Sequence, residues 1–269
     1  MKKLIAIQGV ISVVILAIIC LAVLLGPFIS PYRGDDIVGN VWSQASLIHW
    51  MGTDNLGRDM YSRLLYAGQV TLFVALVSTL LSVTIGVSCG MFAAIKGGWT
   101  DTVLSRFIDA AMSIPSLIFA LVVLSILGAS IPILIFTIAA IASTRSFRLS
   151  RALAMDIVAL DYFEAALLRR DNVFRLMFVE VFPNIFSAIK TEFGLRFCSN
   201  FLEIASLSFL GQGVQPPLTD WGSMVKENAN IISFGGLPPL IPAAAIALVV
   251  ISVNLIVDWN LERSSRHAQ

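Results

Sequence analysis

Charge is scarce in this sequence. Asp, Glu, Lys and Arg make up 13% of its 269 residues, whereas a soluble domain carries about a quarter. The shortfall excludes an ordinary water-facing surface. With 57% apolar residues and a mean hydropathy of +0.87, lipid replaces water over much of the chain. The net charge of +1 gives no reason to expect nucleic acid as a partner. Cysteine is also sparse: Cys20, Cys89 and Cys198 each lie in an apolar run without CxxC spacing, so they read as small core-packing thiols. His49 and His267 are too few and too far apart to hold a metal. No GxxxxGK[ST] loop, HExxH or GxSxG occurs. The chain therefore offers no catalytic residues, and any nucleotide chemistry belongs to another polypeptide.

Long apolar runs take the place of these features. Crossing about 30 Å of hydrocarbon takes about 20 helical residues. Six such runs are expected, at about 4–28, 70–95, 105–128, 130–146, 185–210 and 237–258. The first is longer than the apolar core of about 7–15 residues in a cleavable leader, so it reads as a retained membrane helix. The third and fourth are joined only by Gly128, Ala129 and Ser130, which makes them antiparallel neighbours. Gly86 and Gly90 form a GxxxG pair that permits close helix approach. Pro115 removes a backbone donor and predicts a bend in the third span. The expected fold is an all-α integral membrane protein of six transmembrane helices. Residues 1–28 form the N-terminal helix, 29–69 an outer segment, and 70–269 the core domain.

The basic residues set the orientation, because cytoplasmic flanks retain positive charge. With the N-terminus inside, the inner segments hold Lys2, Lys3, Lys96, Arg106, Arg145, Arg148, Arg151, Arg169, Arg170, Arg175, Arg263 and Arg266. The outer segments hold only Arg33, Arg58, Arg63 and Lys226. Both termini and the stretch 161–183 are then cytoplasmic, and residues 29–69 and 211–236 lie outside.

The stretch "DYFEAALLRRDNVFRLMFVEVFPN" (161–184) interrupts the apolar runs with a pattern that suits a short helical hairpin. Asp161 is placed to cap a first helix, with Glu164 three residues on completing a capping box. Asn172 is placed to cap a second, after the turn "RRDN". Ala165 and Ala166 are small enough to let another surface approach closely. Phe163, Leu167, Phe174, Leu176, Met177 and Phe178 add more apolar area than one hairpin can bury alone. Two readings stand level on these grounds: the hairpin receives a partner, or it packs beneath its own membrane bundle.

The segment from Glu164 to Asn184 resembles the EAA loop of binding-protein-dependent ABC transporter permeases. Glu164, Ala165 and Ala166 match the motif's opening, and Pro183-Asn184 match its end. "HWMGTDNLGRDMYSRLLYAGQVTL" (49–72) and "EIASLSFLGQGVQPPLTDWGSMV" (203–225) resemble the dipeptide/oligopeptide/nickel branch, in its second permease type. The resemblance covers nearly the whole chain. It implies a multi-pass inner-membrane subunit with the type I importer permease fold, in which 161–183 is the coupling hairpin. It further implies a paralogous permease, cytoplasmic ATPase subunits that bind ATP and Mg, a periplasmic solute-binding protein and surrounding membrane lipid. On this basis Glu164, Ala165, Ala166, Arg170 and Asn172 form the ATPase-coupling set. Arg170 stands where the family has a glycine, which supplies a left-handed turn. The branch handles dipeptides, oligopeptides, nickel or metal chelates, opines and related solutes.

Two further sets of residues remain to be placed. Thr53 or Asp54 is positioned to cap an outer helix bearing Arg58, Asp59 and Arg63. Two readings apply to it: Arg58 and Asp59 hold the lobe against a partner, or, favoured for any single residue, the helix lies on the membrane surface with its charges in water. The fifth run carries Lys190, Glu192, Arg196 and Glu203. Glu192 and Arg196, four apart, are expected to pair. Lys190 and Glu192 are expected at the cytoplasmic surface, while Arg196 and Glu203 are candidates to line a translocation path. A self-sufficient carrier driven by protons or sodium, with Glu192, Arg196 and Glu203 relaying charge, is the competing reading. It leaves the hairpin unexplained.

Overall fold

The computed structural model describes residues 2–267. The side chains of Lys2, Lys3, Arg266 and His267 lie outside the described residues. Among the described residues eleven α-helices run in order: α1 Lys2–Leu24, α2 Gly26–Ile29, α3 Met60–Lys96, α4 Gly98–Met112, α5 Ser116–Leu127, α6 Ile131–Val158, α7 Asp161–Leu168, α8 Val173–Arg175, α9 Phe182–Phe209, α10 Trp221–Glu227 and α11 Leu240–His267. A π-helical segment, Leu176–Val181, joins α8 to α9, and a 3-10 turn, Ala229–Phe234, follows α10. The described residues form no strands, only isolated bridges such as Thr53 to Asp59.

The bundle is centred on α3 and α6, which pack along most of their lengths. The GxxxG pair makes this possible. A Cβ on Gly86 would stand 2.5 Å from the Ser143 carbonyl oxygen, and one on Gly90 would stand 2.7 Å from that of Phe147. Either contact is far inside van der Waals range, so glycine is required for the two backbones to meet. Helix α9 fills a groove beside α3, α6 and α11, and α1 lies against α11. Two apolar clusters result. One occupies the middle and the lobe end, around Val74, Ile138, Phe201, Ile204 and Trp221. The other lies at the hairpin end, around Val87, Met91, Phe163, Ala166 and Met177.

Among the described residues, four helices are long and apolar enough to cross a membrane: those containing Ile7–Leu24, Met60–Lys96, Ile131–Val158 and Leu240–Arg263. The expected third span is not one helix. Pro115 ends it outright, and α4 and α5 meet at 85°, a far sharper break than the expected bend. Counted as one crossing, this pair is the fifth. Helix α9 is long, at 28 residues, but its four charged side chains make it less apolar than these. Length and apolarity alone thus fall short of six spans. Helix α3 begins at Met60, ten residues before its apolar run, and α6 ends at Val158, well past its own. Both overhang because polar residues continue a helix wherever caps and packing permit it. The elbow between α4 and α5 leaves a largely apolar cleft of about 930 Å³ against α6, bounded by Phe107, Met112, Pro115, Phe136 and Arg145.

Of the cysteines, Cys198 is buried and Cys20 half-buried, as core packing requires. Cys89 faces outward instead.

A candidate coupling hairpin, a polar seam and a closed outer lobe

The hairpin is built from α7, α8 and the π-helical segment. The expected capping box does not form. Leu160 occupies the N-cap position without a side-chain bond, and Asp161 is the first helical residue. Asp161 and Glu164 both lie in the first turn, where carboxylates favour the positive end of the helix. Asn172 caps α8 as expected, accepting from the Phe174 N–H at 3.3 Å.

The turn between the helices is a Schellman closure. The Arg170 N–H returns to the Leu167 carbonyl at 2.9 Å, and that of Asp171 to Ala166 at 3.5 Å. This closure needs a left-handed residue, and Arg170 supplies it at φ 58°. A residue with a Cβ adopts that geometry at a cost of about 1 kcal/mol. The turn is therefore kept with the arginine in the glycine position. Around it, Arg169 pairs with Asp171 at 3.0 Å and with Glu180 at 3.1 Å. The Asn184 side-chain amide donates to the Tyr162 hydroxyl at 3.2 Å and to the Glu180 carbonyl at 2.6 Å. The terminal Pro-Asn of the motif thus ties the start of α9 back to the first helix of the hairpin.

The apolar residues of the hairpin divide between two faces, one packed beneath the bundle and one open. Phe163 and Ala166 are fully buried and share a cluster with Leu176, Met177 and Val181 and with residues of α3 and α6. Ala165, Leu167, Leu168, Phe174, Phe178 and Val179 face outward, with Leu168 80% and Phe174 69% exposed. Ala166 therefore seats the hairpin on its own bundle, and Ala165 belongs to the open face. Glu164, Arg170 and Asn172 are exposed.

In α9, Glu192 and Arg196 do pair, at 2.8 Å. Glu192 is not at the surface as expected. It is 6% exposed and accepts from the Ser146 hydroxyl of α6 at 3.2 Å, because the α6 face opposite it is polar enough to receive it. Lys190 is exposed, its ammonium 5.2 Å from the Phe186 ring centre. Two turns along, Asn200 donates to the Thr79 hydroxyl of α3 at 3.1 Å. Residues 192, 196, 200 and 203 fall within one arc of a 3.6-residue helix. Together they make a polar seam in which the Arg196 Nη1 and the Glu203 Oε1 are buried without a hydrogen-bond partner.

Comparison with known proteins bears on this arrangement. Residues 86–268, which include the hairpin and the seam, match the family described as "Binding-protein-dependent transport system inner membrane component". The chain belongs to this family. It is 32% identical over 213 residues to the glutathione transport system permease protein GsiD of Pectobacterium atrosepticum, covering 79% of this chain and 71% of that one. It is 29% identical over 257 residues to the dipeptide transport system permease protein DppC of Haemophilus influenzae, covering 93% and 87%. It is 31% identical over 248 residues to the di/tripeptide transport system permease protein DppC of Pseudomonas aeruginosa, covering 90% and 82%. These similarities identify the chain with the dipeptide/oligopeptide branch of ABC permeases.

The permease also carries a second polar site, one that sequence reasoning misjudged. The charges of residues 54–63 do not lie in water, although Arg33, Asp35 and Asp36 do. Asp54 is completely buried and neither it nor Thr53 caps the helix; Asp59 does, accepting from the Ser62 N–H at 2.8 Å. Asp54 instead accepts from the backbone N–H groups of Leu56 at 2.8 Å and Arg58 at 2.9 Å, from Arg58 Nε at 2.7 Å, and from Arg63. Arg63, 1% exposed, also reaches Glu227 at 2.9 Å and the Thr219 hydroxyl at 3.1 Å, and Arg58 reaches the same Glu227 at 2.8 Å. Burial pushes the Asp54 carboxyl up, but the backbone N–H groups and the two guanidiniums outweigh it and hold the pKa below its ordinary value. The lobe of residues 29–59 is thereby locked to the 211–236 loop. Trp221 completes the lock: it is buried, and its indole N–H donates to the Leu64 carbonyl at 2.9 Å. Asp220, which caps α10 through Ser223, has its pKa raised by burial. The signal available beforehand was the excess of arginine in 58–63 against the acid in 219–227, two segments that flank spans on the same side.

Proposed function

We propose that this permease forms half of the solute path of an ATP-driven importer in the bacterial inner membrane, and that its solutes are short peptides. The solute class is supported by the printed names of its relatives, which specify glutathione, dipeptides and di/tripeptides. In this reading the chain crosses the membrane six times, with α4–α5 as the third crossing and α9 as the fifth, and both termini are cytoplasmic. A solute-binding protein delivers to the closed outer lobe. A paralogous permease faces the cleft at the α4–α5 elbow. Separate ATPase subunits bind ATP and Mg, and this chain binds no cofactor of its own.

One observation carries the coupling role: the outward face of the hairpin. Ala165, Leu168 and Phe174 present apolar surface on a rigid mount that Phe163 and Ala166 anchor to α3 and α6. A patch of this kind marks a protein contact. ATP-driven closure of the ATPase pair would displace the hairpin. The packed α3–α6 unit, joined to α9 through Ser146 and Glu192, would then move as a body, which is alternating access by rigid rocking. Coupling of this kind is reciprocal, so the membrane conformation must in turn bias ATP affinity. Arg196 and Glu203 remain candidates for the path wall.

The test is Ala165→Arg in the reconstituted transporter. ATP hydrolysis should be uncoupled from peptide uptake while the permease remains inserted and assembled with its paralogue. Uptake at the parental rate in that variant removes the docking role.

A further inference from the structure

The hairpin tip holds three arginines, and they are not equivalent. Arg169 is neutralised by Asp171 and Glu180, and Arg175 stands 3.8 Å from Asp171. Arg170 is exposed, and its guanidinium has no hydrogen-bond or ion-pair partner among the described residues. Of the three, Arg170 carries the charge that no carboxylate among the described residues pairs with. That charge sits on the residue whose backbone is least suited to a side chain, the left-handed closure of α7 at φ 58°. Glycine would fill the position without strain, and nothing within the hairpin gains from the arginine. A strained residue whose side chain serves no internal contact points to a contact elsewhere. Its neighbours are the most exposed apolar side chains of the hairpin, Leu168 and Phe174.

We propose that Arg170 is a selectivity contact for the ATPase subunit, its guanidinium meeting a carboxylate on the rim of the cleft that receives Leu168 and Phe174. The proposal rests on the hairpin being the ATPase docking site. It assigns the two kinds of surface different tasks: the apolar face supplies adhesion, and the unpaired cation favours ATPases with an acid opposite and disfavours those without one. Such a rim contact acts on association rate and salt dependence more than on adhesion.

The experiment uses the full-length permease with its paralogue in nanodiscs of neutral phosphatidylcholine, titrated with the transporter's purified ATPase subunits at low and high salt. Arg170→Lys should bind as the parent does. Arg170→Gly, which also relaxes the turn and so protects the fold, should weaken binding at low salt by about fivefold and flatten the salt dependence. Arg170→Glu should weaken it by about tenfold or more, and changing the facing ATPase carboxylate to lysine should restore it. That carboxylate is located by cross-linking from Arg170→Cys. Parental affinity and salt dependence in both Arg170→Gly and Arg170→Glu overturn the proposal, as does an effect seen only in discs of anionic lipid, which would assign the guanidinium to lipid headgroups. Ala165→Trp separates the two levels. If it abolishes binding while the Arg170 variants are silent, docking stands and the selectivity contact falls. If Ala165→Trp and the double variant Leu168→Ser, Phe174→Ser also bind as the parent, the docking reading itself falls.

Discussion

The two ends of the permease treat the same chemistry in opposite ways. At the lobe end, Asp54, Arg58, Arg63 and Glu227 are drawn inward and paired with one another, and Trp221 is sealed beneath them. At the hairpin end, Arg169 and Arg175 stay more than half exposed, and Leu168 and Phe174 stand in the open. The lobe closes its ion cluster within one chain. The hairpin leaves apolar side chains without a partner in this chain, which is why we propose it as a docking surface. Helix α3 joins them over its 37 residues, about 55 Å. Its first turn carries Arg63, and its far end carries Met91 and Ala94 in the cluster that seats the hairpin. One continuous helix therefore runs from the seat of the hairpin to the lobe.

The largest effect should come from breaking the closed end. Arg63→Ala leaves Asp54 and Glu227 facing each other's charge with less compensation, and Asp54 has no water to turn to. Loss of one member of a buried ion cluster costs about 3–5 kcal/mol. Thermal unfolding in nanodiscs should show this as a clear fall in midpoint. Arg169→Ala, at the open end, should move the midpoint by an amount corresponding to less than about 1 kcal/mol. Equal shifts in the two variants would erase the distinction between the ends.

The hairpin can be divided the same way by a pair of phenylalanines. Phe163→Ala opens a cavity beneath the hairpin and should cost about 3–5 kcal/mol. Phe174→Ala removes an exposed ring and should leave stability within about 0.5 kcal/mol. Its loss should appear instead in ATPase association. Were Phe174→Ala to unfold the protein, its ring would be core rather than contact.

Acid should act on the lobe through two carboxyl groups whose pKa values are shifted in opposite directions. The Asp54 pKa is lowered on folding, so its contribution is present above the ordinary carboxylate value of 3.8 and is lost as pH falls through the lower folded value. The Asp220 pKa is raised, so its contribution is present below the ordinary value and is withdrawn as pH rises through the higher folded one. Asp54→Asn should destabilise the protein at neutral pH by about 3 kcal/mol and flatten its loss in strong acid. Asp220→Asn keeps a capping acceptor without a buried charge, so at neutral pH it should be at least as stable as the parent. Unfolding midpoints recorded from neutral to acid pH would show both, and identical pH profiles for the two variants would refute the assignment.

How far these ends were legible in the sequence follows from the range of the interactions involved. The hairpin is local: its caps, turn and small residues lie within 24 consecutive positions, so its existence and the role of Asn172 could be read directly. What could not be read was which face each apolar residue took, because that depends on α3 and α6. The lobe is non-local. Arg63 and Glu227 are 164 positions apart, and charges seen one segment at a time look solvated. The membrane runs were visible from hydropathy, yet the 85° break at Pro115 and the polar length of α9 were not. A proline predicts disruption but not its angle, and a charged helix declares itself only when its neighbours show where the charges go. Glu192 is such a case, buried because Ser146 stands opposite.

The smallest effect distinguishes a local role from a shared one. Asn172 is exposed and caps the three-residue helix α8 through a single bond to the Phe174 N–H. Replacing it with alanine removes that acceptor, which costs about 1 kcal/mol when the capped turn stands alone. In the hairpin the turn is held a second time, by Asp171, which receives Arg169 and faces Arg175. Asn172→Ala should therefore lower stability by no more than about 1 kcal/mol, and Asn172→Asp, which keeps the acceptor, should restore it. Coupling efficiency, read as peptide taken up per ATP hydrolysed, should fall in the first variant and return in the second. If uptake per ATP is unchanged in Asn172→Ala, the orientation of Phe174 is set by the ion pairs, and Asn172 leaves the coupling set as a dispensable cap.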